Sequence, residues 1–155
     1  VGDSRFISGD PRYQSPESLR AFSAGLRGEP SQQLIRKVDF KADIWSMGAM
    51  LYELLSGGLI PFLYEPCNLD EVMANPHKWE ALKESVFERE LEFSPHLDSV
   101  SDEAKALLKQ LLCKDPDGRP TAADVLKDDW ICSERDHVIG QALLTKLELK
   151  LTKGR

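Results

Sequence analysis

The chain has 155 residues, 41% of them hydrophobic, 30% charged and 8% aromatic, which fits one soluble folded domain and excludes collagen-like, low-complexity and disordered classes. Twenty Lys and Arg against 26 Asp and Glu leave a net charge of −6, so nucleic acid and anionic membrane surfaces would be repelled and neither is expected as a partner. Three cysteines (Cys67, Cys113, Cys132) and three histidines (His77, His96, His137) are scattered without a Cys-x-x-Cys, which indicates neither a metal site nor a disulfide framework and suits a reducing, cytoplasmic setting.

Residues 1–14 are polar and without period, and read as loop. Ser15-Pro16-Glu17 has the form of a helix start, with Ser15 as cap, Pro16 at the first helical position and Glu17 at the positive helix end. That helix is expected to be short, because 24–33 (AGLRGEPSQQ) reads as an extended surface loop. Residues 42–55 (ADIWSMGAMLYELL) are apolar almost all round, the pattern of a helix in the middle of a domain, and Ser56-Gly57-Gly58 ends it. The stretch 69–92 is a charged amphipathic helix expected to break near Asn75-Pro76. Ser101 caps a helix carrying Ala104, Leu107, Leu108, Leu111 and Leu112 on one face. Asp115-Pro116-Asp117-Gly118 is a turn, and Thr121 with Asp124 three residues on begins a further helix. The segment 137–151 repeats Ile139, Leu143, Leu147 and Leu151 at intervals of four. No run reads as a convincing strand, and none approaches the roughly 20 apolar residues of a membrane span, so the expected class is mainly α.

Three fragments in order carry a resemblance. Gly9-Asp10-Pro11-Arg12-Tyr13-Gln14-Ser15-Pro16-Glu17 is similar to the Gly-Thr-Pro-x-Tyr-x-Ala-Pro-Glu run that closes the activation segment of serine/threonine protein kinases. Asp43-Ile44-Trp45-Ser46-Met47-Gly48, followed by Leu51 to Gly57, resembles the central helix of that family, and Asp115 to Thr121 leading to Trp130-Ile131 resembles the turn between its last large helices. Ser101-Asp102-Glu103-Ala104-Lys105 adds a likeness to the calmodulin-regulated and calcium-dependent kinases. The resemblance implies the helical C-terminal lobe of a protein-kinase-like fold without the β-rich N-terminal lobe. It implies a partial lobe over 1–132, with an insertion near 20–36, and a regulatory-junction-like extension over 133–155.

What the resemblance implies for function is a piece of an enzyme that moves the γ-phosphate of ATP to Ser or Thr of a protein substrate. ATP and magnesium belong to the parent and neither is expected on this piece, because no Gly-rich phosphate loop, strand lysine, catalytic Asp with its Asn, or metal-binding Asp-Phe-Gly stands in the expected order. No catalytic residue is therefore assigned. Asp10, Pro11, Arg12 and Tyr13 are the expected peptide-binding residues, and Glu17, Asp43, Trp45 and Arg119 the structural ones. In the family the equivalents of Glu17 and Arg119 pair, although the residues alone favour two surface charges in unrelated turns. The equivalent of Asp43 holds backbone amides of the catalytic loop, although periodicity equally allows a carboxylate at its own helix end.

Two departures favour a second reading, a pseudokinase or scaffold lobe that binds protein. Asp10 replaces Thr and would sit against a catalytic carboxylate, and Asp43 lies 26 positions after Glu17, an unusually wide gap. Lys146, Lys150, Lys153 and Arg155 give 137–155 the character of a calmodulin-like binding segment, or else of a helix packed on the body. The family likeness finally implies that the central helix, without the chain that covers it, leaves apolar surface open.

Overall fold

The computed structural model describes residues 10–26, 40–66, 68–93 and 95–134. Seven α-helices follow in these residues: α1 Pro16–Leu26, α2 Phe40–Ser56, α3 Leu69–Ala74, α4 Pro76–Glu88, α5 Asp102–Leu111, α6 Ala122–Val125 and α7 Asp129–Glu134. Short 3-10 turns occupy Pro11–Tyr13 and Pro116–Gly118, and no strand occurs among the described residues. None of the described helices is long and apolar enough to cross a membrane. The expected final helix over 137–151 and the extension 133–155, apart from 133–134, lie outside the described residues, as does most of the expected insertion.

The molecule divides between Pro120 and Thr121 into two compact units. The first contains α1 to α5 around a core of Leu19, Trp45, Tyr52, Ile60, Phe62, Leu82, Leu97 and Leu108. α2 is the axis of this core: Ala42, Ile44, Trp45, Gly48, Ala49 and Tyr52 are all buried. It packs on α5 closely enough that a Cβ on Gly48 would lie 2.7 Å from the Leu111 Cβ. Beyond Ser56 the chain reverses through Gly57 at φ 75°, and the Gly58 N–H donates back to the Glu53 carbonyl at 2.8 Å, the closure that only a left-handed residue permits.

Local chemistry accounts for most helix boundaries. Asn75 accepts from the His77 N–H at 2.9 Å and Pro76 opens α4, so the chain breaks between α3 and α4 where an X-Pro step disfavours helix. The Ser101 hydroxyl accepts from the Ala104 N–H at the start of α5. In the second unit Thr121 and Asp124 form a full capping box, each side chain taking the other's backbone N–H.

One boundary departs from the sequence expectation. α1 is not short: it runs 11 residues to Leu26, so 24–26 are helix rather than loop. Ser23 and Gly25 are weak helix formers, but tertiary packing outweighs them. Leu19, Ala21 and Ala24 are buried, Phe22 meets Trp79 of α4 edge-on with centroids 5.3 Å apart, and the Arg20 guanidinium lies 4.9 Å over the Phe87 ring.

Candidate functional site

The turn Pro11–Tyr13 is built by its own first residue. Asp10 accepts from the Arg12 N–H at 3.0 Å, and its carboxylate also takes the Arg12 side chain, with Nε at 3.0 and 2.9 Å from the two oxygens and Nη2 at 2.5 Å from Oδ2. The hydrogen bond to Asp10 raises the Arg12 pKa although burial opposes it. Within the described residues the Asp10 carboxylate is thus paired with Arg12, two positions away.

Tyr13 and Ser46 fasten this turn to α2. The Tyr13 hydroxyl donates to Glu53 Oε2 at 2.6 Å, and the Ser46 hydroxyl donates to the Tyr13 carbonyl at 2.8 Å. Burial, reinforced by the carboxylate it donates to, pushes the Tyr13 phenol up to about 12. Pro11 is buried between these anchors. The turn therefore has a fixed shape: a proline at its start, an ion pair across its outer edge and two hydrogen bonds below.

Glu17 and Arg119 meet across 102 positions of sequence. Arg119 Nη1 donates to Glu17 Oε1 at 2.7 Å and Nη2 to Oε2 at 2.9 Å, a fork on a carboxylate. The remaining donors go to backbone carbonyls: Nε to Cys113 at 2.7 Å, Nη1 to Lys41 at 2.9 Å and Nη2 to Lys114 at 3.2 Å. Lys41 Nζ donates in turn to the Arg119 carbonyl. The Arg119 side chain is wholly inaccessible, which such a charge tolerates only with every donor engaged. Burial alone would raise the Glu17 carboxyl, but the Arg119 hydrogen bond and charge, with a backbone bond, hold it below the ordinary value.

Trp45 lies within the same cluster. Its ring stacks on Phe62 with centroids 5.5 Å apart and planes 5° from parallel, and the Arg119 guanidinium lies 5.1 Å over it. Phe62 holds a left-handed backbone at φ 67°, as does Tyr64 at φ 60°, conformations that cost on the order of 1–3 kcal/mol and persist where packing dictates them. Asp43 stands apart from this cluster. It is exposed in the first turn of α2, where its charge favours the positive helix end.

Other residues enter the site without having been singled out in the sequence. Ser46 and Glu53 anchor the turn, and Gln14 joins Pro11, Phe22, Met73 and Trp79 in lining a cavity of about 60 Å³ beside it. Glu53 could have been found as the one acid among the apolar residues 44–55.

Comparison with known families matches residues 4–131 to the protein kinase domain. The chain is similar to calcium-dependent protein kinase 6 of Arabidopsis thaliana, 28% identical over 150 residues, covering 92% of this chain and 22% of that protein. It is 36% identical over 133 residues to the calcium/calmodulin-dependent protein kinase type II alpha chain of Drosophila melanogaster, covering 85% of this chain and 20% of the relative. A probable serine/threonine-protein kinase of Dictyostelium discoideum, fhkE, is 33% identical over 138 residues, covering 84% and 16%. The chain thus spans about a fifth of the length of the curated relatives it matches.

Proposed function

The chain belongs to the protein kinase family, with the helices of its C-terminal lobe, and we propose that it is the peptide-positioning part of a serine/threonine kinase. The parent protein would transfer the γ-phosphate of ATP to a Ser or Thr hydroxyl. Asp10, Pro11, Arg12 and Tyr13 would shape the pocket for the residue that follows the phosphoacceptor. The observation that carries this reading is the double attachment of the turn to α2, through Tyr13 to Glu53 and Ser46 to the Tyr13 carbonyl. A loop that must hold a peptide in register gains from being preorganised, since a displacement of about 1 Å can cost a hundredfold in rate. Glu17, Trp45 and Arg119 would hold the base of the same platform.

ATP and magnesium would be held by other parts of the parent protein, since no Gly-rich phosphate loop, strand lysine, catalytic Asp with its Asn, or metal-binding Asp-Phe-Gly stands in order in this sequence, and this segment by itself would transfer nothing. The relatives named for calcium and calmodulin, and the lysines and leucines of 137–155, support a calmodulin-like regulator at that segment. The scattered cysteines support a reducing, cytoplasmic setting, and the acidic balance supports a protein that leaves nucleic acid and membranes alone.

The test is steady-state kinetics on the full-length protein with Ser46→Ala. The loss of one anchor of the turn is expected to raise KM for a peptide substrate several-fold while leaving KM for ATP within twofold. An unchanged peptide KM would overturn the positioning role. Phosphate transfer by residues 1–155 alone would overturn the division of labour. A full-length protein that binds peptide yet transfers no phosphate would establish the scaffold reading instead.

A further inference from the structure

A second cavity, of about 410 Å³, opens in the first unit where the end of α5 meets Phe62 and the segment that follows α4. At roughly 30 Å³ for each water-sized group it has room for about a dozen heavy atoms, and its size falls within the roughly 300–1,000 Å³ of small-molecule sites. Phe62, Leu91 and Leu112 give it apolar walls, while Lys109 and Lys114 bring two ammonium groups and Glu90 one carboxylate. Lys114 Nζ donates to the Phe87 carbonyl at 2.9 Å and stands 5.6 Å from the centre of the Phe62 ring. Lys109 Nζ stands 5.5 Å from the centre of the Phe93 ring. A carbonyl and two rings leave both charges without a counter-ion among the described residues. Beside apolar walls that exclude part of the solvent, such charges attract an anion more strongly than they would in bulk water.

We propose that this cavity binds a small monocarboxylic acid whose apolar body packs on Phe62, Leu91 and Leu112 and whose carboxylate turns to Lys109 and Lys114. Two cations against the single Glu90 carboxylate leave one positive charge in excess, which one acidic head neutralises and a second would exceed. The occupant is a small molecule and not an acidic protein segment because the chain as a whole carries a charge of −6. That field repels a polyacidic partner along its whole length, whereas a single carboxylate answers to the lysines beside it. The cavity shares no lining residue with the turn Pro11–Tyr13, so the proposal stands apart from the peptide-positioning reading.

The probe is naphthalene-2-carboxylate, an aromatic acid of the fitting size, with naphthalene-2-carboxamide as its uncharged isostere. Each is titrated into the full-length protein at low ionic strength and followed by ligand-observed NMR. The acid is expected to bind with a Kd of about 1 mM or below and about fivefold more tightly than the amide, the size of one partly exposed charge pair. In Lys109→Gln and in Lys114→Gln that preference should fall to about twofold or less. In Glu90→Gln it should widen to about tenfold, because the one repelling carboxylate is gone. Glu90 is exposed, and a gain of affinity cannot come from a damaged fold, so this variant keeps the test decisive if a lysine variant unfolds. Equal binding of acid and amide overturns the proposal, and so does failure of both to bind at about 5 mM. A preference for the acid that none of the three variants changes places it elsewhere on the protein and overturns the proposal too. Tighter binding of an alternating Leu/Glu peptide, weakened by the same lysine changes, assigns the cavity to a protein partner and overturns the choice of a small acid.

Discussion

A buried guanidinium is tolerable only in a complete set of partners, and Arg119 has one. Its fork on Glu17 and its three backbone acceptors come from segments far apart in sequence, so this one side chain joins the start of α1, the start of α2 and the turn after α5. Glu17→Gln removes the charge with little change of shape and leaves Arg119 buried without its counter-ion, which is expected to cost about 3–5 kcal/mol in denaturant titration at pH 7. The pH dependence has a definite sign. The folded pKa of Glu17 lies below its ordinary value of 4.5, so its contribution is complete above about pH 4.5 and disappears as pH falls through the folded value. The stability difference between wild type and Glu17→Gln should therefore be constant near neutrality and shrink on acidification below pH 4.5. A difference that persisted undiminished at lower pH would mean that the ion pair is not its source.

At the scale of elements, α2 and α5 approach because position 48 has no side chain. Alanine in a helix interior ordinarily stabilises by up to about 1 kcal/mol over glycine. At Gly48 the new Cβ would be 2.7 Å from the Leu111 Cβ and 3.1 Å from the Leu112 Cγ, and a Cβ cannot rotate out of the way. Gly48→Ala should consequently destabilise, by about 1–3 kcal/mol, in thermal or denaturant unfolding. A gain in stability would show that the two helices separate without penalty. Apart from its place at the end of the motif 43–48, nothing in the sequence marks this glycine as constrained, because the constraint is contributed by residues 63 and 64 positions away. Signals that act within a few residues were legible: the caps at Ser101 and Thr121 and the break at Asn75-Pro76 stand where their side chains put them. The length of α1 was not, since it depends on Phe22 meeting Trp79, nor was the left-handed backbone of Phe62, which carries no glycine or asparagine to announce it. Within the site, Glu17 and Arg119 could be named through the family likeness of their two flanking motifs. Ser46 and Gln14 could not, because their roles follow from where the turn lies against α2 and α4, while Glu53 stands out in the sequence only as the one acid among the apolar residues 44–55.

At the scale of the molecule, the core is one-sided about its central helix. Ala42, Trp45, Ala49 and Tyr52 are buried, whereas Asp43, Met47, Met50 and Leu54 follow steps of four, three and four and so share another face. On it Met50 is 47% and Leu54 79% exposed, and Phe40 at the head of the helix is 61% exposed. An apolar stripe of this kind on a chain with only modest net negative charge favours association, since few repulsive charges lie within it. Sedimentation velocity of the 155-residue chain should accordingly show mass rising with concentration. The double change Met50→Glu and Leu54→Lys should suppress that rise while altering unfolding stability by no more than about 0.5 kcal/mol per site, because neither side chain is part of the packed core. The charges are chosen opposite in sign and four apart, which keeps the helix itself favourable and confines the effect to its surface. A wild-type chain that stays monomeric at high concentration would show that this face is not sticky enough to drive assembly. A double variant that still associates would place the contact elsewhere, with exposed Met73 on α3 the next surface to change.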